Sequence, residues 1–467
     1  MTEISNLQAD TICAVSTPHG MGGIAVVRVS GPQATAIVAK RWHGASLENM
    51  QSHTAHLGTI TDSQNQALDQ VVLTLFRAPH SFTGDDVIEI SCHGSVWIQR
   101  QIVLSLIDAG CRAATGGEFT QRAFANGRLD LSQAEAVADL ISSQSRAQHR
   151  VAINQMRGAF SRQLAQLRSQ LLEFVSLIEL ELDFSEEDVT FADRSRLLTL
   201  SAHIQEVIGS LCASFSSGNA IKNGIPVAIV GPTNAGKSTL LNLLLNDDRA
   251  LVSDIQGTTR DVIEDTVDIS GTLFRFIDTA GIRQASDEIE RMGIERTFQK
   301  LDQAQIVLWV IDGTQPAGEL TQFSSQILPH CQGKTLIAVV NKADAGTAPH
   351  VADTLTSLLP EGARQVAISA RDGINTQALT TMLTSAAALP DMTDDNAVIV
   401  TNARHYHALT RAAEALTRAT DGLESGLSGD LVSQDIRECL HYLGEITGEI
   451  TTNDILGEIF SHFCIGK

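Results

Sequence analysis

Eight residues, GPTNAGKS at 231–238, carry the spacing GxxxxGK[ST] of a phosphate-binding loop, and an apolar run, IPVAIV, leads into them. Glycines there let backbone N–H groups approach phosphate oxygens. Lys237 supplies a point charge toward the β and γ phosphates, and the Ser238 hydroxyl ligates magnesium. Ala235, Gly236 and Thr239 belong to the same cradle. The base is read elsewhere. NKAD, 341–344, follows the apolar run TLIAVV, and its Asp344 carboxylate accepts hydrogen bonds from the N1–H and 2-amino group of guanine. Adenine offers neither donor, and a buried acceptor left unpaired costs about 1–3 kcal/mol. Asn341 and Lys342 share that turn. In ISA, 368–370, Ser369 and Ala370 bring a backbone N–H toward guanine O6. Together these runs specify a GTP site.

Two more segments lie between them. DTAG, 278–281, places Asp278 to hold magnesium through water, with Thr279 and Ala280 beside the nucleotide and Gly281 able to sense the γ-phosphate. GTTRD, 257–261, falls where a switch segment belongs, and Thr259 is the candidate to close the magnesium shell. The residue after DTAG is Ile282. Many GTPases carry a water-orienting glutamine there, so hydrolysis needs another arrangement.

The elements that must hold these residues are legible as periodicity. From 225 onward, IPVAIV, FRFIDTAG, IVLWVID, TLIAVVNKAD and RQVAISA read as Val/Ile-rich strands alternating with helical segments, the pattern of a doubly wound, mostly parallel α/β sheet. Before it, DTICAVST, GMGGIAVVRVSG, DQVVLTLF and DDVIEISCHGS are short strands punctuated by turns, which predicts an α+β domain over 1–125. A helical stripe runs from Leu129 through Phe160 and Leu171 to Leu182, and a second helix spans 194–214. Helical texture returns after 385 in HALTRAAEALTRAT, DLVSQDIRECLHYLGEI and NDILGEIF. The chain is therefore multidomain, α+β and α/β. Its expected parts are 1–125, a helical part 126–222, a GTPase domain 223–384 and a second helical part 385–467. The two helical parts pack together around an inserted sheet domain, or 385–467 stands as an independent domain.

Composition excludes several classes. No run approaches the ~18–20 uninterrupted apolar residues of a membrane span, and MTEISNLQAD lacks the features of a secretory signal, so the expectation is cytoplasmic and not membrane-bound. Seven scattered cysteines without a Cys-x-x-Cys pair argue against a disulfide framework or structural zinc. The net charge of −21 is the opposite of what a self-sufficient nucleic-acid binder presents.

The assembled segments resemble the MnmE (TrmE) family of tRNA-modifying GTPases over nearly the whole chain. The likeness rests on GGIAVVRVSGP, SFTGDDVIEISCHG, RAFANGRLDLSQAEAVADLI, the GTPase motifs, DTAGIRQASDEIERMGIERT and the terminal EIFSHFCIGK. It implies a homodimeric, potassium-stimulated enzyme whose GTPase domains meet face to face in the transition state. Potassium would be held by Asn234 and the loop Ser253, Ile255 and Thr258, in the place of an arginine finger. Glu290 would orient the attacking water through a bridging water; read on its own residues it is a surface carboxylate on a helix. The N-terminal part would be a folate-binding fold that also dimerises the chain, with Arg28, Glu89, Arg128 and the terminal Lys467 at the contacts to a tetrahydrofolate derivative, 5-formyl or 5,10-methylene. Arg128 stands where the family commonly has lysine, which keeps the charge and changes the donor geometry. Further implied are an FAD-bearing MnmG (GidA)-like partner, joined in a heterotetramer, and tRNA held mostly through that partner.

Cys464, four residues from the end, fits a prenylation box poorly because Gly466 and Lys467 follow. Its likeness to the family's ending, together with apolar Ile459, Phe460 and Phe463 before it, suggests an anchored tail that brings Cys464 and Lys467 toward the folate pocket, the thiol being either chemical or structural. The resulting expectation is a GTPase that installs a carboxymethylaminomethyl or aminomethyl group at C5 of the wobble uridine. The alternatives are a regulatory or ribosome-assembly GTPase, and a folate-dependent transferase acting on another substrate.

Overall fold

The structure is a computed structural model and describes residues 10–183, 194–248, 265–277, 301–346, 348–387, 398–461, 463 and 466. They fall into two units, one within Met1–Ile141, Gln155–Gln205 and Ala408–Lys467, the other within Ser142–Asn154 and Glu206–His407.

The first unit opens with β1 (Ile12–Val15), β2 (Ile24–Ser30), β3 (Trp42–His43), β4 (Thr54–Thr61), β5 (Ala67–Phe76), β6 (Val87–His93) and β7 (Arg112–Ala113). They form one sheet in the order β3-β4-β5-β6-β2-β1-β7, antiparallel except for the β1–β7 pair. Because successive strand residues point to opposite faces, alternation sorts the side chains. Ala25, Val27, Val29, Val71, Leu73, Leu75, Ile88 and Ile90 are buried in one core with Ile37 and Val38 of α1 (Ala34–Ala39) and Ile102 and Leu106 of α2 (Val96–Ala109). The opposite face carries Ile24, Arg28, Val72 and Glu89. There Leu57 and Val72, register partners on β4 and β5, stay 64% and 39% exposed, so this face is apolar yet open. Helices gathered on one side of an antiparallel sheet give the expected α+β character.

Next come α3 (Glu118–Ala125), α4 (Leu131–Ser142), α5 (Arg146–Met156), α6 (Ala159–Asp183) and α7 (Arg194–Asn223). The continuous stripe expected from 129 to 182 is thus three helices. Ser145 Oγ accepts the Gln148 N–H and starts α5 afresh, a local cap that periodicity does not register. The helix expected to end at 214 continues to Asn223 because Ile221 has packing of its own, against Val151 and Ile399 in the second unit.

The second unit contains β8 (Ile225–Val230), α8 (Lys237–Asp248), β9 (Asp265–Ile269), β10 (Thr272–Phe276), β11 (Ile306–Asp312), α9 (Ala317–Ile327), β12 (Thr335–Asn341), α10 (Pro349–Leu358), β13 (Arg364–Ala367) and α11 (Thr376–Ala386). The strand order is β13-β12-β11-β8-β10-β9, parallel but for β9 against β10. Its central strands read as unbroken apolar runs because both faces are covered. Val227, Leu308, Val310 and Ile337 pack with Leu240 and Leu244 of α8 and Leu379 of α11. Ala228, Val307, Trp309 and Leu336 pack with Leu320 of α9 and Leu355 of α10. After β8 the chain adds strands first on one side and then on the other, which makes the carboxyl end of β8 the switch point of the sheet.

The chain closes with α12 (Ala403–Ser425), α13 (Gly429–Thr447) and α14 (Asn453–Ser461). Within the first unit Arg168 of α6 donates through Nη1 to the Leu440 carbonyl of α13 at 2.7 Å, and Ser201 of α7 meets Thr420 of α12 at 2.5 Å. Helices from before and after the α/β segment therefore share one unit. Among the described residues no helix is long and apolar enough to cross a membrane.

Candidate functional site

The phosphate loop leaves β8 at Gly231 and enters α8 at Lys237. Gly236 has φ +96°, and a Cβ there would lie 2.1 Å from Asn341 Nδ2, so the loop can close on Asn341 only without a side chain. Asn341, 3% exposed at the end of β12, donates through Nδ2 to the Ala235 carbonyl at 2.8 Å. Its Oδ1 accepts the Ala370 N–H at 2.9 Å. One amide side chain thus ties the phosphate loop, NKAD and ISA together. Lys237 Nζ donates to the Gly231 and Pro232 carbonyls, both at 2.8 Å, which folds its ammonium over the loop. Ser238 is half-buried and Thr239 exposed at the start of α8, whose N-terminus offers N–H groups and a positive dipole end to phosphate. Asn234 is left-handed, at φ +61°, and exposed.

In the NKAD turn Lys342 is also left-handed, at φ +66°, and its Nζ meets Asp312 Oδ2 at 2.5 Å. Burial alone would raise the Asp312 carboxyl, but Lys342 and Thr314 outweigh it and hold it below the usual carboxylate range. Asp344 is exposed on the short 3₁₀ turn Ala343–Ala345 and free to meet a base. The ISA segment differs in one respect from the sequence expectation of a backbone N–H aimed at guanine O6. Ile368 N–H donates to Val340, Ser369 N–H to Ile374 and Ala370 N–H to Asn341, so a contact to O6 would share the Ala370 proton. Ser369 itself is fully buried.

The remaining residues singled out in this half lie outside the described residues: Ser253, Ile255, Thr258, Thr259, Asp278, Thr279, Ala280, Gly281 and Glu290. Of the candidate potassium set the structure describes Asn234, and of the magnesium set Ser238. Both supply the oxygen donors that hard cations take, at positions not fully buried.

A second cluster forms in the first unit. Arg28 and Glu89 are register partners across β2 and β6, and Arg28 Nη2 and Nε reach Glu89 Oε1 at 2.7 and 3.0 Å. The guanidinium lies 5.4 and 5.6 Å from the ring centres of Phe82 and Phe119. Gly466 lies here as well. The Gly466 carbonyl accepts from Ser16 Oγ at 3.0 Å and faces Arg28 Nη1 at 3.5 Å. Gly466 has φ +93°, and a Cβ would lie 2.2 Å from the Val15 carbonyl. Phe460 and Phe463 seat α14 and the residues after it against Gly116 and Gly117. Cys464 and Lys467 are outside the described residues. Arg128 is exposed next to Gly84, on the loop that also carries Phe82.

Beneath the cluster, Glu118 and Arg122 are fully buried and paired at 3.1 Å, with Arg112 at 2.5 Å from Glu118 and Asp10 at 2.5 Å from both arginines. Burial would raise the Glu118 carboxyl, yet the bonds from Arg112, Thr115 and Arg122 hold it below its ordinary value. Sequence reasoning missed Ser16, Phe82, Phe119 and Asp312. Ser16, Phe82 and Asp312 lie inside quoted segments, but neither they nor Phe119 have a spacing that marks them as site residues.

A doubly wound sheet with a phosphate loop at its switch point, and an Asn-Lys-x-Asp turn beside it, defines a P-loop GTPase, here built into a longer chain. A family model described as GTP-binding protein TrmE N-terminus matches residues 11–128, and one described as MnmE helical domain matches 131–464. The tRNA modification GTPase MnmE of Parabacteroides distasonis is 56% identical over 98% of this chain and 100% of that one. That of Bacteroides thetaiotaomicron is 54% identical over 99% and 100%. Among solved structures, Era in complex with MgGDPNP and nucleotides 1506-1542 of 16S ribosomal RNA aligns at 30% identity over 40% of this chain and 65% of that chain, with a TM-score of only 0.27. The chain belongs to the MnmE family.

Proposed function

We propose that the chain is a homodimeric, potassium-stimulated GTPase which, with an FAD-bearing partner similar to MnmG (GidA), adds a carboxymethylaminomethyl or aminomethyl group to C5 of the wobble uridine, U34, of certain tRNAs. The GTPase role in tRNA modification is that of its relatives by name. The observation that supports the folate part is the Arg28–Glu89 pair on the open face of the sheet. Only Glu89 Oε1 takes Arg28, which leaves Oε2 for an incoming N–H donor, and the arginine is flanked by two aromatic rings. Donor, acceptor and aromatic surface together suit a pterin. Folate, when bound, would supply the one-carbon unit; Arg28 and Glu89 would orient it, with Arg128 and Lys467 as further contacts and Cys464 nearby.

Dimer formation is supported by the same face, where Ile24, Leu57 and Val72 stay exposed. Exposed apolar surface of this kind favours a second copy. The charge of −21 favours tRNA binding mainly through the partner. In the nucleotide half, Lys237 and the α8 N-terminus would hold the phosphates, and Asn234 would help hold potassium against charge developing in the transition state. The reading assigns folate binding to 1–125, helices to 126–222 and 385–467, and GTP hydrolysis to 223–384. It places the chain in the cytoplasm.

The test is mass spectrometry of tRNA nucleosides from cells lacking the chain, complemented with wild type or with Arg28→Ala. Loss of the modified wobble uridine, restored only by wild type, is expected. Unaltered wobble uridines in the deletion would overturn the proposal, and equal GTP turnover in KCl and NaCl would remove potassium from it.

A further inference from the structure

We propose that Asp312 is a positioning residue for guanine-nucleotide binding, acting through Lys342 to set the turn that presents Asp344 before the nucleotide arrives. The inference rests on reading NKAD as the base-reading turn. Asp312 ends β11, one strand away from that turn, and both of its oxygens are used. Oδ1 accepts the Thr314 N–H at 2.9 Å and the Thr314 hydroxyl at 2.7 Å, while Oδ2 meets the Lys342 ammonium at 2.5 Å. The backbone repeats the connection: Gly313 N–H donates to the Asn341 carbonyl at 2.9 Å. With the Ala348 N–H donating to the Gly313 carbonyl at 2.9 Å as well, the loop after β11 is fastened to the loop after β12 at three points, two neutral and one ionic.

An ion pair between solvated side chains contributes little, because two long side chains must be ordered to form it. This pair differs in two ways. Asp312 is already fixed by Thr314, so only the lysine has to be ordered, and Lys342 sits at φ +66°, a conformation that residues with a Cβ resist. The ionic contact thus falls on the residue whose backbone defines where Ala343–Ala345 begins, and Asp344 is carried on that turn. Removing the contact releases Lys342 and lowers the fraction of molecules whose turn is ready for a base. The apparent affinity falls by that fraction.

The test compares the full-length chain with Asp312→Asn, Lys342→Met and the double variant, measuring affinity for a fluorescent GDP analogue together with kcat and KM for GTP. Asp312→Asn is expected to weaken nucleotide binding about tenfold and raise KM in step, with kcat at saturating GTP within about twofold of wild type. In the Lys342→Met background, the same change at 312 should alter affinity by less than about twofold, since no ammonium remains to be held. Equal losses in the two backgrounds would overturn the inference, as would unchanged affinity in Asp312→Asn alone. Asp312→Glu guards against a folding defect: it keeps the charge and should recover most of the lost affinity, and failure to do so counts against the proposal. Asp344→Asn tests the reading beneath it, with an expected shift of preference from guanine toward xanthine nucleotides. No shift there would remove the base-reading turn itself, whereas a shift with normal affinity in Asp312→Asn removes only the role of Asp312.

Discussion

Ser16 Oγ donates to the carbonyl of Gly466 at 3.0 Å, so a residue just after β1 holds the last-but-one residue of the chain. The Gly466 backbone is left-handed, and a Cβ would press on the Val15 carbonyl at 2.2 Å, an atom that cannot move without disturbing β1. Gly466→Ala should therefore release the tail from the sheet, whereas Ser16→Ala removes one hydrogen bond, about 1 kcal/mol, and should loosen it only partly. Carboxypeptidase digestion of the two variants checks this, with faster trimming expected in the order Gly466→Ala, Ser16→Ala, wild type.

Arg28 reaches Glu89 with two nitrogens on one carboxylate oxygen, a geometry that depends on the planar guanidinium. Arg28→Lys keeps the charge but loses the second contact. Binding of 5-formyltetrahydrofolate by the isolated protein, followed by calorimetry, should weaken about tenfold in Arg28→Lys, the equivalent of ~1.4 kcal/mol, and become undetectable in Arg28→Ala.

Asn341 spans two loops while buried, so Asn341→Ala leaves the Ala235 carbonyl and the Ala370 N–H without their partner. Each orphaned group costs about 1–3 kcal/mol. The expected outcome is a lowered melting temperature of the nucleotide-binding half together with loss of GTP binding, read by calorimetry with and without nucleotide. Gly236→Ala should reproduce the binding loss because its Cβ takes the space of Asn341 Nδ2.

Glu118 is held ionised inside the first unit by Arg112 and Arg122. Its carboxyl is depressed in the folded state relative to the unfolded one, so its contribution to stability is fully present above the unfolded value of about 4.3 and is lost as pH falls through the lower folded value. Thermal unfolding between pH 3 and 7 should be flat at the upper end and drop steeply at the acid end. Glu118→Gln removes the charge that Arg122 faces in a fully buried setting and should cost about 3 kcal/mol or more at pH 7, with a shallower acid limb.

The nucleotide half was largely legible in the sequence. A strand buried on both faces must be apolar throughout, so IPVAIV and IVLWVID announce themselves, and the loops that follow such strands carry the GxxxxGK[ST] and NKxD spacings. The first half was less so. The strands 54–61 and 42–43 escaped because a run such as TAHLGTIT on a half-open sheet gives a weak signal: β4 carries buried residues only near its end, at Ile60 and Thr61. The helical stripe reads as one because apolar residues recur at helical spacing across α4, α5 and α6, while the breaks come from the reciprocal cap of Ser145 and Gln148 and from the left-handed Gly158.

Residue types and local periodicity by themselves determined the α/β core, the phosphate loop and the NKAD turn, since all of these are built from residues adjacent in the chain. Only the tertiary structure decided that Glu89 faces Arg28 across a β ladder, that Ser16 meets Gly466 from 450 residues away, and that Asp312 reaches Lys342 from the neighbouring strand. Such contacts come from strand order and register, which arise from how whole elements pack, and a linear spacing carries no record of them.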